Sequence, residues 1–587
     1  MFDLVIQNGQ VVDGTGGPPV FADVGIRDGL IVAVGENLGP ANASIDASGC
    51  VVTPGFIDLH THYDGQASWD GELAPSTWHG VTTAVMGSCG VGFAPVRPDH
   101  HDRIVDLLEG VEDMPGTALH EGIPWTWETL PQYLDALDGI PHAADLLVQV
   151  PHDAVRMYVM GDRAVAGEAA TADDLEQMVT IVREAMEAGC VGFSTGRSDN
   201  HRDAHGAYTP ASEADAAELR ALAGALKGLN HGVLQAVSDF DMNAGPEHFE
   251  AEFQLLIEMM MASDKPLSTT LLQRDLAPSQ WTKILEGAET AVSQGLDLRV
   301  QVAPRAIGVM LGLEATFHPF IGRASYREIA HLSLAQRVAE LRKPERKAAI
   351  LAEPHESVAG DGSSMPRFVD DFLEKIVFLT LRMFRLGEPP EYEPDMASSL
   401  YMEAERQGRD VLELFYDCLL EDEGHALLYF PLFNYSGMNL DDVHRMLTHP
   451  QALVGLSDGG AHVGTICDGS FPTTLLTHWV RDREGDRLTV PQAIQMLTAA
   501  PADWLGLTDR GRVEVGLRAD LNVIDLDQLT LHHPRVHHDL PAGGSRLLQQ
   551  STGYRATLLG GVVVRRDDTM TGQRPGRVVR MGQSSTT

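Results

Sequence analysis

Cysteine is scarce: five residues in 587, odd in number and scattered at Cys50, Cys89, Cys190, Cys418 and Cys467. That excludes a disulfide-stapled fold and points to a reducing, cytoplasmic compartment. Bases are scarce too. Against 83 Asp and Glu stand 43 Lys and Arg, a formal charge of −40. This excludes nucleic acid, whose phosphates need a basic face, and anionic membrane surfaces; the acidic excess reads as solvating surface. No apolar run approaches the roughly 20 residues of a membrane helix. The opening stretch MFDLVIQNGQVVDG has neither the basic nor the apolar region of a secretory signal. The N-x-S patterns at Asn42 and Asn434 are therefore read as chance matches. Aromatics make up only 6% of the chain, whereas glycine is plentiful at 58 residues, so many tight turns are expected.

What is present has two textures. Residues 2–36 are short β-rich runs broken by glycine (FDLVIQNG, QVVDGTG, ADVGIRDG, LIVAVG), and the style returns at 519–527 and 554–566. Such runs predict a small all-β unit. Neither end could hold a core alone, so the two ends are expected to pair into one β-sandwich, residues 1–53 with 506–587. Between them, strand-like runs alternate with helix-like ones: 80–87 then 102–110, 145–152 then 171–189, CVGFSTG then 212–229, 232–240 then 248–262, 266–273 then 279–294, 296–304, and 453–460 before 490–499. About eight such units predict an α/β fold, a parallel (β/α)8 TIM-like barrel over 54–505, with chemistry at the C-terminal ends of its strands. A charged, helical segment at about 306–425 interrupts the rhythm and reads as an inserted helical segment over the barrel mouth.

Three short motifs carry chemistry. In GFIDLHTHYDG, residues 55–65, His60 and His62 are two apart on a strand and so project to one face, with Asp58 below them. Neutral imidazoles at this spacing make a pair of zinc ligands. In SDGGAH, Asp458 ends another strand-like run, as a ligand and a base. In VMGSCGVGFAP, Cys89 offers a thiolate ligand, and its flanking glycines suggest close backbone approach. Arg197 and His201 follow a barrel strand, as does Asp239, and are expected around the substrate. Two further motifs are read as decoys. GFSTG (192–196) has the pattern of a nucleophile elbow, but the loop-like RSDNHRDAHGAYTP follows it where a helix would be needed. HHPRVHH (532–538) reads as a solvated loop.

Taken together, PGFIDLHTH, the early β unit completed by the C-terminus, MGSCG, GFSTG and the late SDG resemble the metal-dependent amidohydrolase superfamily, and within it the N-acyl-D-amino-acid deacylases. The resemblance implies a D-aminoacylase-like hydrolase with metal ligands His60, His62, Cys89 and Asp458, the cysteine doing the metal-bridging work of a carboxylated lysine in relatives. It also implies histidine ligands at the ends of the fifth and sixth barrel strands. Here Gln235 or Asp239 stands near the first position and Thr269 and Thr270 near the second, and none is a histidine. One zinc ion is therefore expected rather than two, with Asp239 or His201 as candidates to complete its site.

The expected reaction is hydrolysis of a C–N bond in a small molecule, an N-acyl (D-)amino acid or similar amide, by metal-activated water. A cyclic amide, lactone or carbamate is the alternative within the superfamily, and a barrel without catalysis serving as a binding protein is the reading outside it. The expected partner is a small-molecule substrate, with no nucleic acid and no membrane; contacts through the β unit would suit a homo-oligomer.

Overall fold

The computed structural model describes residues 1–198, 200–240, 245–358 and 368–583, apart from the side chains of residues 246, 368 and 371. Eight strands form one parallel sheet: β1 (Phe56–Asp58), β2 (Val81–Met86), β3 (Asp145–Pro151), β4 (Gly192–Arg197), β5 (Val233–Ser238), β6 (Leu267–Thr270), β7 (Leu298–Val302) and β8 (Ala452–Val454). Each pairs with the next in chain order, and β8 pairs with β7. Strands covered on both faces can be apolar almost throughout, as in VTTAVM and DLLVQVP. The polar exceptions include Gln235 on β5, Ser268 on β6 and Gln301 on β7, all buried.

Between β1 and β8 no ladder forms. The ring is closed by a single parallel bridge, Thr61 to Gly459, where His62 N–H donates to Gly459 O at 2.8 Å and Asp458 N–H to His60 O at 3.2 Å. The closure of the barrel and the two strongest sequence motifs therefore coincide.

Helices sit where the sequence places them, with local reasons visible at their ends. The helix Ala172–Ala188 starts from a capping box between Thr171 and Asp174 and stops at left-handed Gly189. The helix expected over 212–229 is shorter, Ala216–Gly224, begun by the Asp215 carboxylate accepting from Glu218 N–H. The inserted segment is not purely helical. Its helices, among them Leu334–Leu341, Pro344–Ala352, Leu400–Gln407 and Val411–Leu419, accompany an antiparallel sheet of Ile307–Leu311, Leu428–Phe433 and Phe384–Arg385. This segment has its own apolar cluster around Phe317, Phe320, Phe415 and Leu428.

The two chain ends share one nine-stranded sheet, in which Leu521–Ile524 pairs with Val51–Pro54. Its core draws on both ends, from Ile6 and Val24 to Val523 and Leu558. The C-terminal part also returns to the barrel. Leu146 N–H donates to Arg577 O and Val579 N–H to Leu146 O, which lays residues 577–579 along β3.

One buried ion pair fastens this arrangement. Asp145 at the start of β3 is fully buried and meets Arg510 at 2.7 Å and Arg518 at 3.1 Å. Exposed pairs contribute about 0–1 kcal/mol, whereas removing one partner of a buried pair costs up to about 3–5 kcal/mol, a loss reduced here because Arg510 keeps Asp509 at 2.9 Å and Arg518 keeps Asp520 at 3.2 Å. Asp145→Ala is therefore expected to lower the calorimetric melting temperature clearly. An unchanged melting temperature would show that Asp509 and Asp520 suffice as partners of Arg510 and Arg518.

Candidate metal centre

His60 lies just past the end of β1, and two structures fix its ring. Ser457 Oγ donates to Asp58 Oδ2 at 2.6 Å and stands 3.1 Å from His60 O, tying the end of β1 to the loop after β8. Burial pushes the Asp58 carboxyl up to about 7. His60 Nδ1–H donates to Gln301 Oε1 on β7 at 2.8 Å, while Gln301 Nε2 donates to Ser268 Oγ on β6 at 3.0 Å. With its Nδ1 proton committed, His60 turns an Nε2 lone pair inward. Burial, with Asp458 opposing it, lowers the His60 pKa to about 4, so the ring is neutral.

His62 is arranged in parallel. Its Nδ1 stands 3.1 Å from Glu112 Oε1, and its Nε2 faces the same point as that of His60. Cys89 Sγ lies 3.1 Å from His60 Nε2 and 3.7 Å from His62 Nε2. Asp458 Oδ1 lies 3.4 Å and 3.7 Å from the same two nitrogens. Among the described residues, His60, His62 and Cys89 form the one group of three or more donor side chains close enough together to share an ion.

Two loops pay a conformational cost to reach this point. Cys89, Leu456, Asp458 and His462 all have φ between 49° and 60°, a left-handed region that non-glycine residues rarely enter. Cys89 is held there by Gln235 Oε1, which accepts its N–H at 3.0 Å. The motif GFSTG explains the rest. Ser194 Oγ accepts from Gly90 N–H at 3.1 Å and donates to Gly87 O. A Cβ at Gly196 would sit 2.3 Å from Cys89 O, and one at Gly90, where φ is +81°, 2.7 Å from Gly196 N. The motif is a seat for the cysteine loop, and Ser194 has no nucleophile geometry.

The electrostatics follow from crowding donor groups in a buried place. Burial pushes the Cys89 thiol up to about 12, against the pull of His62. At His62 burial lowers the pKa, but Glu112, Cys89 and Asp458 outweigh it and raise it well above the ordinary value. At Asp458 burial raises the pKa, yet His62, His60 and His462 hold the carboxyl well below the usual carboxylate range. Two imidazole nitrogens and a thiol in one buried group, with the ionised Asp458 carboxylate 3.4 Å from His60 Nε2, are donors of the kind that zinc takes.

The remaining expected residues divide. His201 is near the cluster: its pKa is depressed to about 3 by burial and by His462 and His62, and a Cβ added at Gly196, on β4, would lie 3.6 Å from its Nδ1. Arg197 instead forms a two-pronged ion pair with Glu252 at 2.8 and 2.9 Å and donates to Ala214 O. Asp239 is buried, accepts from Ser198 Oγ at 3.2 Å, and lies near the buried Arg274. Of the HHPRVHH histidines, His533 and His532 bond to Pro534 O and Thr552, away from the cluster. A narrow cavity beside Asp458 is lined by Gln66, Cys467, Asp468 and Arg546, so the C-terminal segment contributes to the surroundings of the site. Gln301 and Glu112 were not among the expected site residues, and Gln235 was named only as standing near the position where the resemblance implies a histidine. A glutamine in the middle of an apolar strand was the available signal for Gln235 and Gln301.

The sequence model of the amidohydrolase family matches residues 43–372 and 404–565. The chain is 28% identical over 590 residues to the N-acyl-D-glutamate deacylase of Alcaligenes xylosoxydans xylosoxydans, covering 99% of this chain and 97% of the relative. It is 26% identical over 591 residues to the D-aminoacylase of the same organism, covering 98% and 97%. Among solved structures, the N-acyl-D-glutamate deacylase of Bordetella bronchiseptica, in complex with zinc and a phosphonate mimic of the tetrahedral intermediate, is similar over 99% of both chains, with a TM-score of 0.64 and 25% identity. No helix among the described residues is long and apolar enough to cross a membrane.

Proposed function

The chain belongs to the amidohydrolase family and is a metal-dependent hydrolase of carbon–nitrogen bonds; from that premise we propose that it cleaves the amide of an N-acyl amino acid or a related small amide, with one zinc ion held by His60, His62, Cys89 and Asp458. The observation that carries the reading is the convergence of His60 Nε2, His62 Nε2, Cys89 Sγ and Asp458 Oδ1. The neutral amides of Gln235 and Gln301, where the deacylase resemblance implies histidine or leaves the strand unassigned, support a single ion: they hold Cys89 and His60 in place and add no charge.

When bound, zinc supplies a Lewis acid that polarises the substrate carbonyl and brings the pKa of a water down towards neutrality. The chain does the rest. Asp458, ionised and on the loop that closes the barrel, takes the proton from the attacking water and returns it to the leaving nitrogen, as base and then acid. His60 stays neutral as a ligand through the Nδ1 proton it gives to Gln301, and His62 faces the same point through Nε2. His201, neutral beside them, is available to hydrogen-bond the substrate.

The test is a panel of N-acyl-D- and N-acyl-L-amino acids and cyclic amides, with products identified by mass and metal measured on the purified protein. The expected result is release of a free amine, with about one zinc per chain. Ring opening without amine release would replace the substrate assignment, and absence of metal together with absence of turnover would reject it.

A further inference from the structure

Every charge at the centre has a reason to be there except one. Glu112, at the end of the helix His101–Glu112, is 3% exposed. Its Oε1 is 3.1 Å from His62 Nδ1 and its Oε2 is 4.0 Å from His462 Nε2. Neither oxygen receives a hydrogen bond of good geometry, and no Lys or Arg pairs with it, among the described residues. Burial is costly for such a carboxyl and pushes it up to about 7, against the pull of His62, so the one group placed to partner it is the His62 ring.

We propose that Glu112 is the positioning residue of His62: its carboxylate takes the Nδ1–H of that ring and presents Nε2 to the metal, which rests on the metal reading above. Three features support this. The two rings are served unequally, His60 by the neutral amide of Gln301 and His62 by a carboxylate. A metal on Nε2 makes the Nδ1–H a stronger donor, so the carboxylate gains a partner when the site fills. The helix end carrying Glu112 is also rigid. Its O accepts from His462 N–H, and the adjoining Asp113, at φ 48°, accepts from Thr316 Oγ1 and Thr465 Oγ1. Thr465 follows Asp458 in the loop after β8, and Thr316 belongs to the inserted segment, so three parts of the chain hold Glu112 in register with His62.

The experiment measures zinc affinity, by competition with a chromophoric chelator, on the full-length protein and on Glu112→Gln and Glu112→Ala. Outer partners of a metal-bound histidine typically contribute 10- to 100-fold in affinity. Glu112→Ala is expected to weaken zinc by about that factor, and Glu112→Gln, which keeps an acceptor and loses the charge, by an intermediate one, both with the wild-type zinc content at saturation. Unchanged affinity in both variants would overturn the proposal and leave Glu112 a structural residue. A lower zinc content at saturation would also overturn it, by making Glu112 a ligand. Should Glu112→Ala fail to fold, Glu112→Gln decides: wild-type affinity there overturns the proposal. A wild-type protein that binds no zinc would instead remove the metal reading, and this inference with it.

Discussion

Asp458→Asn is expected to lower kcat by about 10²- to 10⁴-fold, the range a positioned acid–base group contributes, with zinc content and melting temperature close to wild type. The reason is the asymmetry of the substitution. Asparagine keeps an oxygen facing His60 and His62, where Asp458 Oδ1 now lies at 3.4 and 3.7 Å, but it cannot take a proton. The three histidines that overcome burial hold Asp458 below its ordinary 3.8. A depressed carboxylate is ionised, and stabilising, at every pH above its ordinary value, and that contribution is lost only as pH falls through the lower folded value. Protonation of Asp458 therefore does not set the acid limb of the rate profile. Steady-state kinetics with parallel metal analysis check this. Turnover near wild type with zinc retained would remove Asp458 from the proton path.

His60, His62, Cys89 and Asp458 were legible because each ends an apolar run: the strand supplies the direction and the following glycines or polar residues mark its end. The barrel was legible for the same reason, since strands buried on both faces leave near-continuous apolar runs that alternate with capped, amphipathic helices. What was not legible depends on contacts across the ring. Gln301 and Gln235 act on His60 and Cys89 from β7 and β5, 241 and 146 positions away in sequence, and no local spacing announces that. Glu112 ends a helix whose other acids face water. The strand Leu428–Phe433 pairs with Ile307–Leu311, more than a hundred residues earlier, so the inserted segment read as helical. Arg197 was the reverse case. Its place after β4 suggested substrate, but a bidentate match with Glu252 across to the helix Phe249–Ser263 accounts for the guanidinium. GFSTG was misleading as a catalytic pattern and informative as packing: its small residues exist so that the Cys89 loop can lie against β4.

Stripping the metal with a chelator is expected to reduce hydrolysis to the background rate, and adding zinc back to restore it. In the metal-free centre the Cys89 thiol is protonated, with a pKa pushed up to about 12, and the His62 pKa is raised by Glu112, Cys89 and Asp458 against burial. Neither group is then a ligand or an activator of water: the proton on Cys89 blocks the thiolate, and the proton on His62 is neutralised by the carboxylates around it. Zinc must displace these protons to bind. Since both pKa values lie above the ordinary ones, proton displacement becomes easier as pH rises, and zinc affinity is expected to increase with pH across the neutral range. Calorimetric titration of the stripped protein in two buffers of different ionisation enthalpy counts the protons released, and repeating it at several pH values gives the slope. Full activity after exhaustive chelation would refute a metal mechanism. Affinity independent of pH, with no protons released, would show that Cys89 does not ligate as a thiolate and that His62 binds without giving up a proton.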